Sequence, residues 1–216
     1  MSMKTILVHV EEHEGLESVL TSALLVARRF GSHIEGLHVR PGLPRMVPVG
    51  IEGVTLTPRD VVESLERGEQ ELGRRLRDRF DAVMRAHDVP RTGLVQPLDG
   101  PSAGWLDRVS PGDDALGTRG RVFDLIVVGR PGKGVARPAI STVETALFES
   151  GRPALIAPPL PPETVGEAMV IAWNGSTETA RTIAFAMPFL ARAGGVLVLS
   201  VHEGMVPGPT GAEVAH

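Results

Sequence analysis

The chain has 216 residues, 42% hydrophobic and 22% charged, with a formal net charge of −4 and no cysteine. Length and composition fit a globular protein of one large or two small domains; an acidic balance without a long basic run argues against nucleic acid as a partner. Without thiols there are no disulfides and no thiolate chemistry, which fits a cytoplasmic setting, and no apolar stretch is long enough to span a bilayer.

"TILVHV", Thr5 to Val10, is a short apolar run before the polar "EEHEG" and reads as a buried strand. Leu16, Val19, Leu20, Ala23, Leu24 and Ala27 then recur at helical spacing, with Gly31 placed to cap the helix. "HIEGLHV", His33 to Val39, reads as a second strand and completes a βαβ unit. Pro41 to Pro58 reads as an irregular connection, after which Thr57 and Pro58 open a charged helix running to about His87. The mixed charges between Glu66 and Arg79 read as a solvated face with i,i+4 pairs. Gly93 to Leu98 is expected as a third strand, Ser102 to Val109 as a short helix and Ser110 to Arg121 as a polar loop. "FDLIVVG", Phe123 to Gly129, is the strongest strand signal; a helix over "STVETALFESG" and a strand over Pro153 to Pro158 follow. Alternating strands and helices mean an α/β layered fold with a largely parallel sheet.

"APPLPPE", Ala157 to Glu163, is too rich in proline for a helix or central strand, and a domain boundary belongs there, with a linker over 158–167. Beyond it the chain repeats its beginning. A shift of about 164 residues lays "MVIAWNGS" over "TILVHVEE", and puts Gly195 on Gly31 and His202 on His38. Thr210 and Glu213 then form a capping-box pattern. The expectation is a first domain over 1–157 and, over 168–216, a second of the same type that is incomplete.

"KTILVHVEE", "FDLIVVGRPGKG", "ALFESGRPALIAPP" and the restart at "IAWNGS" together resemble a tandem universal stress protein, along nearly the whole chain. The resemblance implies an open parallel five-stranded sheet in order 3-2-1-4-5, Rossmann-like, with helices on both faces. It also implies pairing of two such domains, as a homodimer or within one chain.

In such a sheet, ligands bind beyond the carboxyl ends of the strands where the strand order reverses. That crevice would be made by the loops after Val10 and after Val128. Gly129 and Gly132 could turn backbone N–H groups toward an anion, Arg130 and Lys133 carry suitable charge, and Ser141 and Thr142 open the next helix. The loop is not a Walker loop, because Val135 stands where the lysine is required. Nucleotide-binding members of the family carry Gly, two residues, Gly, nine residues, then Gly with Ser or Thr. Gly129 and Gly132 match its first half; Ser141, Thr142 and Val143 stand where its end should be, so the third glycine is missing. Val10, Glu11 and Glu12 replace the aspartate after the first strand, and Asn174 its counterpart in the repeat. Ser141 and Glu144 are expected to form a capping box whose carboxylate repels a phosphate.

No metal is expected. His9, Glu11 and His13 read as a solvated loop, and His38 as a hydrogen-bonded structural histidine. Three readings stay open: a non-catalytic stress-response module whose crevice binds adenine nucleotide weakly or not at all, a slow nucleotide hydrolase drawing on Glu11 and Glu12, and a pairing module with no ligand.

Overall fold

The computed structural model describes residues 3–41, 46–48, 54–56, 59–93, 99–110, 114–132, 138–201 and 206–215. The chain divides near its proline-rich linker into one unit over Lys4–Pro162 and a smaller one that contains Glu163–His216.

In the first unit β1 (Thr5–His9) leads into α1 (Leu16–Phe30), and β2 (His33–Pro41) returns parallel to β1 with Thr5 opposite His33. Gly31 ends α1 as expected. It adopts the left-handed conformation, φ 65° and ψ 42°, and its N–H reaches the Ala27 carbonyl, a geometry that costs a residue with a Cβ about 1 kcal/mol or more. Between β2 and the next long helix, where an irregular connection was expected, β3 (Met46–Pro48) pairs antiparallel with β4 (Val54–Leu56).

α2 spans Arg59–Ala86; Thr57 and Pro58, the expected cap, lie outside the described residues. Leu76, Phe80 and Met84 are buried at i, i+4 and i+8, while Arg74 pairs with Glu71 at 2.6 Å and with Asp78 at 3.7 Å on the solvated face. Such exposed pairs contribute little; the buried stripe is what holds the helix.

β5 occupies Ser102–Ser110, where a helix was expected, and pairs parallel with β2 along its whole length, from His33 opposite Ser102 to Pro41 opposite Ser110. The reason is packing: Trp105 meets Phe80 of α2 in a tilted ring contact, with centroids 5.3 Å apart and planes at 53°, and Ala103 is fully buried. Apolar residues at 103, 105 and 106 suit either period, and Gly104 weakens a short helix. The strand expected at Gly93–Leu98 falls mostly outside the described residues, and Gly93 itself is not in a strand. α3 (Asp114–Gly120) stands where a polar loop was expected; it buries Leu116 on the sheet. β6 (Leu125–Val128), α4 (Ile140–Phe148) and β7 (Ala154–Ile156) complete the unit.

All five strands of the main sheet run parallel in the order β5-β2-β1-β6-β7, which is 3-2-1-4-5 when the small hairpin is left out. The central strands are buried on both faces. Leu7, Leu37, Ile126 and Val128 meet Leu116, Phe123, Val143 and Ala146 on one face, and alternation turns Ile6, Val8 and Ile34 to the other. The linker is fastened to α1, because the buried Ser18 hydroxyl donates to the carbonyls of Pro158, at 2.6 Å, and Leu160, at 3.1 Å.

The smaller unit holds β8 (Ala168–Trp173), α5 (Thr177–Leu190), β9 (Gly195–Ser200) and α6 (Gly211–Val214), with β8 and β9 parallel. The expected capping box forms: the Glu213 N–H donates to Thr210 Oγ1 and the Thr210 N–H to the Glu213 carboxylate. Register departs from the ungapped repeat by one residue. Thr5 faces His33, 28 positions on, whereas Met169 faces Val196, 27 positions on. The strand pairing therefore puts Val201, not His202, in the place of His38; His202 itself lies outside the described residues.

Candidate functional site: the crevice beyond β1 and β6

β1 and β6 are neighbours, yet β1 continues into α1 on one face of the sheet and β6 into α4 on the other. Their carboxyl ends therefore flank the point where the strand order reverses. The loop after β1 folds back there, and its key residue is His13.

His13 is 9% exposed. Its Nδ1 accepts from the Gly15 N–H at 3.0 Å, and its carbonyl accepts from the Leu16 N–H at 3.2 Å, so it holds the start of α1. An Nδ1 that accepts assigns the proton of the neutral ring to Nε2, which is buried without a hydrogen-bond partner. The ring lies against Gly129. A Cβ at that position would stand 2.9 Å from His13 Cε1 and Nε2 and 2.6 Å from Pro138 Cγ, so only glycine admits this approach. An opening of about 50 Å³ remains, lined by His13, Glu14, Gly15, Arg130, Pro138, Pro158 and Pro159.

Beneath it lies a buried polar cluster. His9 is 4% exposed, its Nδ1 3.5 Å from Glu11 Oε1. His38 Nδ1 donates to the Val10 carbonyl at 3.2 Å, the structural role expected of it. His9 and His13 do not form a solvated loop. His9 is the buried last residue of β1, and after Val10, whose N–H donates to the Leu37 carbonyl at 2.8 Å, the chain turns inward and carries the His13 ring into the protein.

Burial pushes the Glu11 carboxyl up, but the His9 ring beside it, with Nδ1 3.5 Å away, and the charges of His13 and His38 outweigh it and leave its pKa below the usual value. Burial holds His13 below the ordinary histidine range against the pull of Glu11, with His9 and Arg79 adding to the depression. Both depressed groups contribute stability that is complete above their unfolded-state pKa and is lost as pH falls through the folded-state one. For His13 the loss begins near pH ~6.5, and protonation at Nδ1 removes the acceptor for Gly15. The melting temperature is expected to fall between about pH 7 and about pH 5, and His13→Gln to flatten the upper part of that fall. A slope that the substitution leaves unchanged would remove His13 from the titration.

Of the other expected site residues, Gly129 and Arg130 reach the crevice and Glu11 lies in the cluster below it. Val10 is fully buried, Gly132 is exposed on the loop, and Lys133 lies outside the described residues. Ser141 is exposed on the first turn of α4, and Thr142 is buried. The Ser141–Glu144 capping box does not form. α4 begins at Ile140 behind Ala139, which makes no side-chain cap, and its first turn carries no acid. The expected repulsion between Glu144 and a phosphate at that helix end therefore loses its basis.

Asn174, Gly175 and Ser176 make a helix cap. Ser176 accepts from the Thr179 N–H at 3.3 Å, and the Asn174 side chain accepts from the Ser176 N–H at 3.0 Å. Among the described residues, no three His, Asp or Glu side chains are grouped to hold a metal ion, and no helix is long and apolar enough to cross a membrane.

No protein-family model matches the chain, and no curated protein does. Solved structures do. The universal stress protein UspA from Lactobacillus plantarum is similar over 73% of this chain and 99% of its own, at 15% identity and a TM-score of 0.54. A universal stress protein from Archaeoglobus fulgidus DSM 4304 is similar over 94% of this chain and 67% of its own, at 13% identity and a TM-score of 0.59. With the parallel 3-2-1-4-5 sheet, these likenesses establish that the fold of this chain is that of the universal stress proteins.

Proposed function

We propose that this chain is a universal stress protein that acts as a non-catalytic binding module, with a degenerate crevice that takes adenine nucleotide only weakly. The observation that carries this reading is the His13 ring packed on Gly129 at the head of the crevice. The 50 Å³ left beside it is far below the ~300–1,000 Å³ of ordinary small-molecule sites, so a nucleotide has to displace the ring. The missing third glycine and the Val10, Glu11 and Glu12 run after the first strand support the same conclusion. Pairing, between copies or between its own domains, belongs to this reading, and exposed Val170, Leu197 and Leu199 on β8 and β9 support it.

The test is thermal melting of the purified protein with ATP, alongside mass spectrometry of small molecules released by heat. The expected result is no co-purifying nucleotide and an apparent Kd of about 1 mM or weaker, equivalent to no more than about 4 kcal/mol of binding. Recovered adenine nucleotide, or micromolar binding, would overturn the degenerate crevice; Mg²⁺-dependent phosphate release lost in Glu11→Ala would overturn the non-catalytic role.

A further inference from the structure

His13 holds the head of the crevice by contacts that exist only for a neutral ring. Its Nδ1 accepts from the Gly15 N–H at 3.0 Å, which requires that Nδ1 carry no proton. The ring is packed on Gly129, where a Cβ would stand 2.9 Å from Cε1 and Nε2, and Nε2 is buried without a hydrogen-bond partner. The ring also lines the opening of about 50 Å³, so that a turn about its side-chain bonds carries it away from Gly129. The backbone need not follow, because the His13 carbonyl still holds the Leu16 N–H.

Protonation reverses the contact with Gly15: an Nδ1–H would face the Gly15 N–H, donor against donor, and a full charge would sit among buried groups. The surroundings do not offset this. Burial opposes the cation, Glu11 in the same loop attracts it, and His9 of β1 and Arg79 of α2 repel it; the balance holds the His13 pKa below the ordinary histidine range. Arg130, after β6, lines the same opening as a further cation. Glu12 stands 3.7 Å from Arg75 of α2, and His38 of β2 is bonded to the Val10 carbonyl. Glu14, on the loop, and Glu17, in the first turn of α1, are exposed, and Pro138, Pro158 and Pro159 on the remaining side carry no charge. A ring turned out into water has no burial to resist and binds a proton more tightly than the packed ring, so by linkage proton uptake drives the ring outward.

We propose that His13 is an acid-operated gate: on protonation its ring leaves Gly129 and opens the crevice beyond β1 and β6 to ligand. This regulation rests on the reading of His13 as the plug of the crevice and does not depend on which ligand enters.

The test is NMR of the full-length protein between about pH 7.5 and about pH 5.5, the range in which histidine takes up its proton. The imidazole displaces the Gly129 Hα resonance through its ring current, and His13→Ala supplies the position of that resonance with the crevice open. On acidification the Gly129 signal of the parent is expected to move toward that position with the same midpoint as the His13 Cε1–H signal, and the Gly15 amide to exchange faster with solvent. The methyl signals of Leu7 and Ile126, in the core of the sheet, are expected to stay in place and so report that the sheet is folded. The coincidence of midpoints is read on the parent alone and needs no variant. The affinity of the parent for ATP relative to that of His13→Ala, a ratio in which the titration of ATP itself cancels, is expected to rise about threefold or more over the same range. The gate would be overturned by a His13 ring that titrates while Gly129 keeps its resonance, by a His13 that stays neutral down to the pH at which the sheet signals are lost, or by an ATP affinity ratio that does not change with pH. Gly129 moving as expected with no ATP bound at any pH, by parent or variant, would uphold the gate and overturn the nucleotide reading instead.

Discussion

Replacing His13 with alanine is expected to strengthen ATP binding by about tenfold or more, seen as a larger rise in melting temperature per unit of ATP than the parent protein shows. In the folded protein the imidazole covers Gly129 and is tethered through Nδ1 to the Gly15 N–H. A ligand that needs this space binds only the fraction of molecules in which the ring has moved, and its apparent affinity falls by that fraction. Alanine removes the ring and leaves Gly129 and the flanking Arg130 in place. It also removes an N-terminal acceptor from α1, at a cost of about 1 kcal/mol, so the quantity to compare is the response to ATP and not the ligand-free melting temperature. A weaker response in the variant would mean that Nε2–H holds the ligand, and the crevice would then be a working site with His13 as a donor.

Phe80→Ala is expected to destabilise the first unit by about 3–5 kcal/mol, measured by urea unfolding followed at 222 nm. Phe80 is fully buried on α2. Its ring packs at a tilt against Trp105 of the edge strand, supports the Arg91 guanidinium and lies 3.1 Å from where a Cβ on Gly36 would be. One side chain thus joins the helix, the second strand and the edge strand, and the site can close over its absence only in part. Stability of a domain is usually about 5–15 kcal/mol in total, so the loss is a large share of it. Leu65 on the same helix is 50% exposed, and Leu65→Ala is expected to change stability by less than about 0.5 kcal/mol. A loss at Phe80 no larger than that would mean that β5 is held by its backbone pairing alone.

Elements whose local signals agreed with their surroundings were legible without coordinates. The run Thr5 to Val10, the helical spacing from Leu16 to Ala27 and the Gly31 cap all appear where the residues put them. So does the Thr210–Glu213 capping box, whose chemistry is complete within four residues. Ser102–Ser110 was not legible, because its apolar spacing fits two periods and the choice was made by Phe80 and β2, which are distant in sequence. The start of α4 was misplaced for a related reason: Ser141 and Glu144 have the cap pattern, yet Pro138 packs at Gly129 and the helix starts ahead of them.

The candidate crevice divides in the same way. Gly129 and Arg130 could be placed in it because strand ends and loop composition are local properties and the reversal of strand order follows from the fold. His13 could not, since nothing in "EEHEG" distinguishes a ring in solvent from one that folds back onto a glycine more than a hundred residues away. The sequence by itself determined the alternating α/β architecture with its parallel sheet, which rests on periodicity, composition and spacing along the chain. Only the tertiary structure decided which strand forms the edge and what packs into the head of the crevice, because those depend on contacts between residues far apart in the chain, which no local pattern encodes.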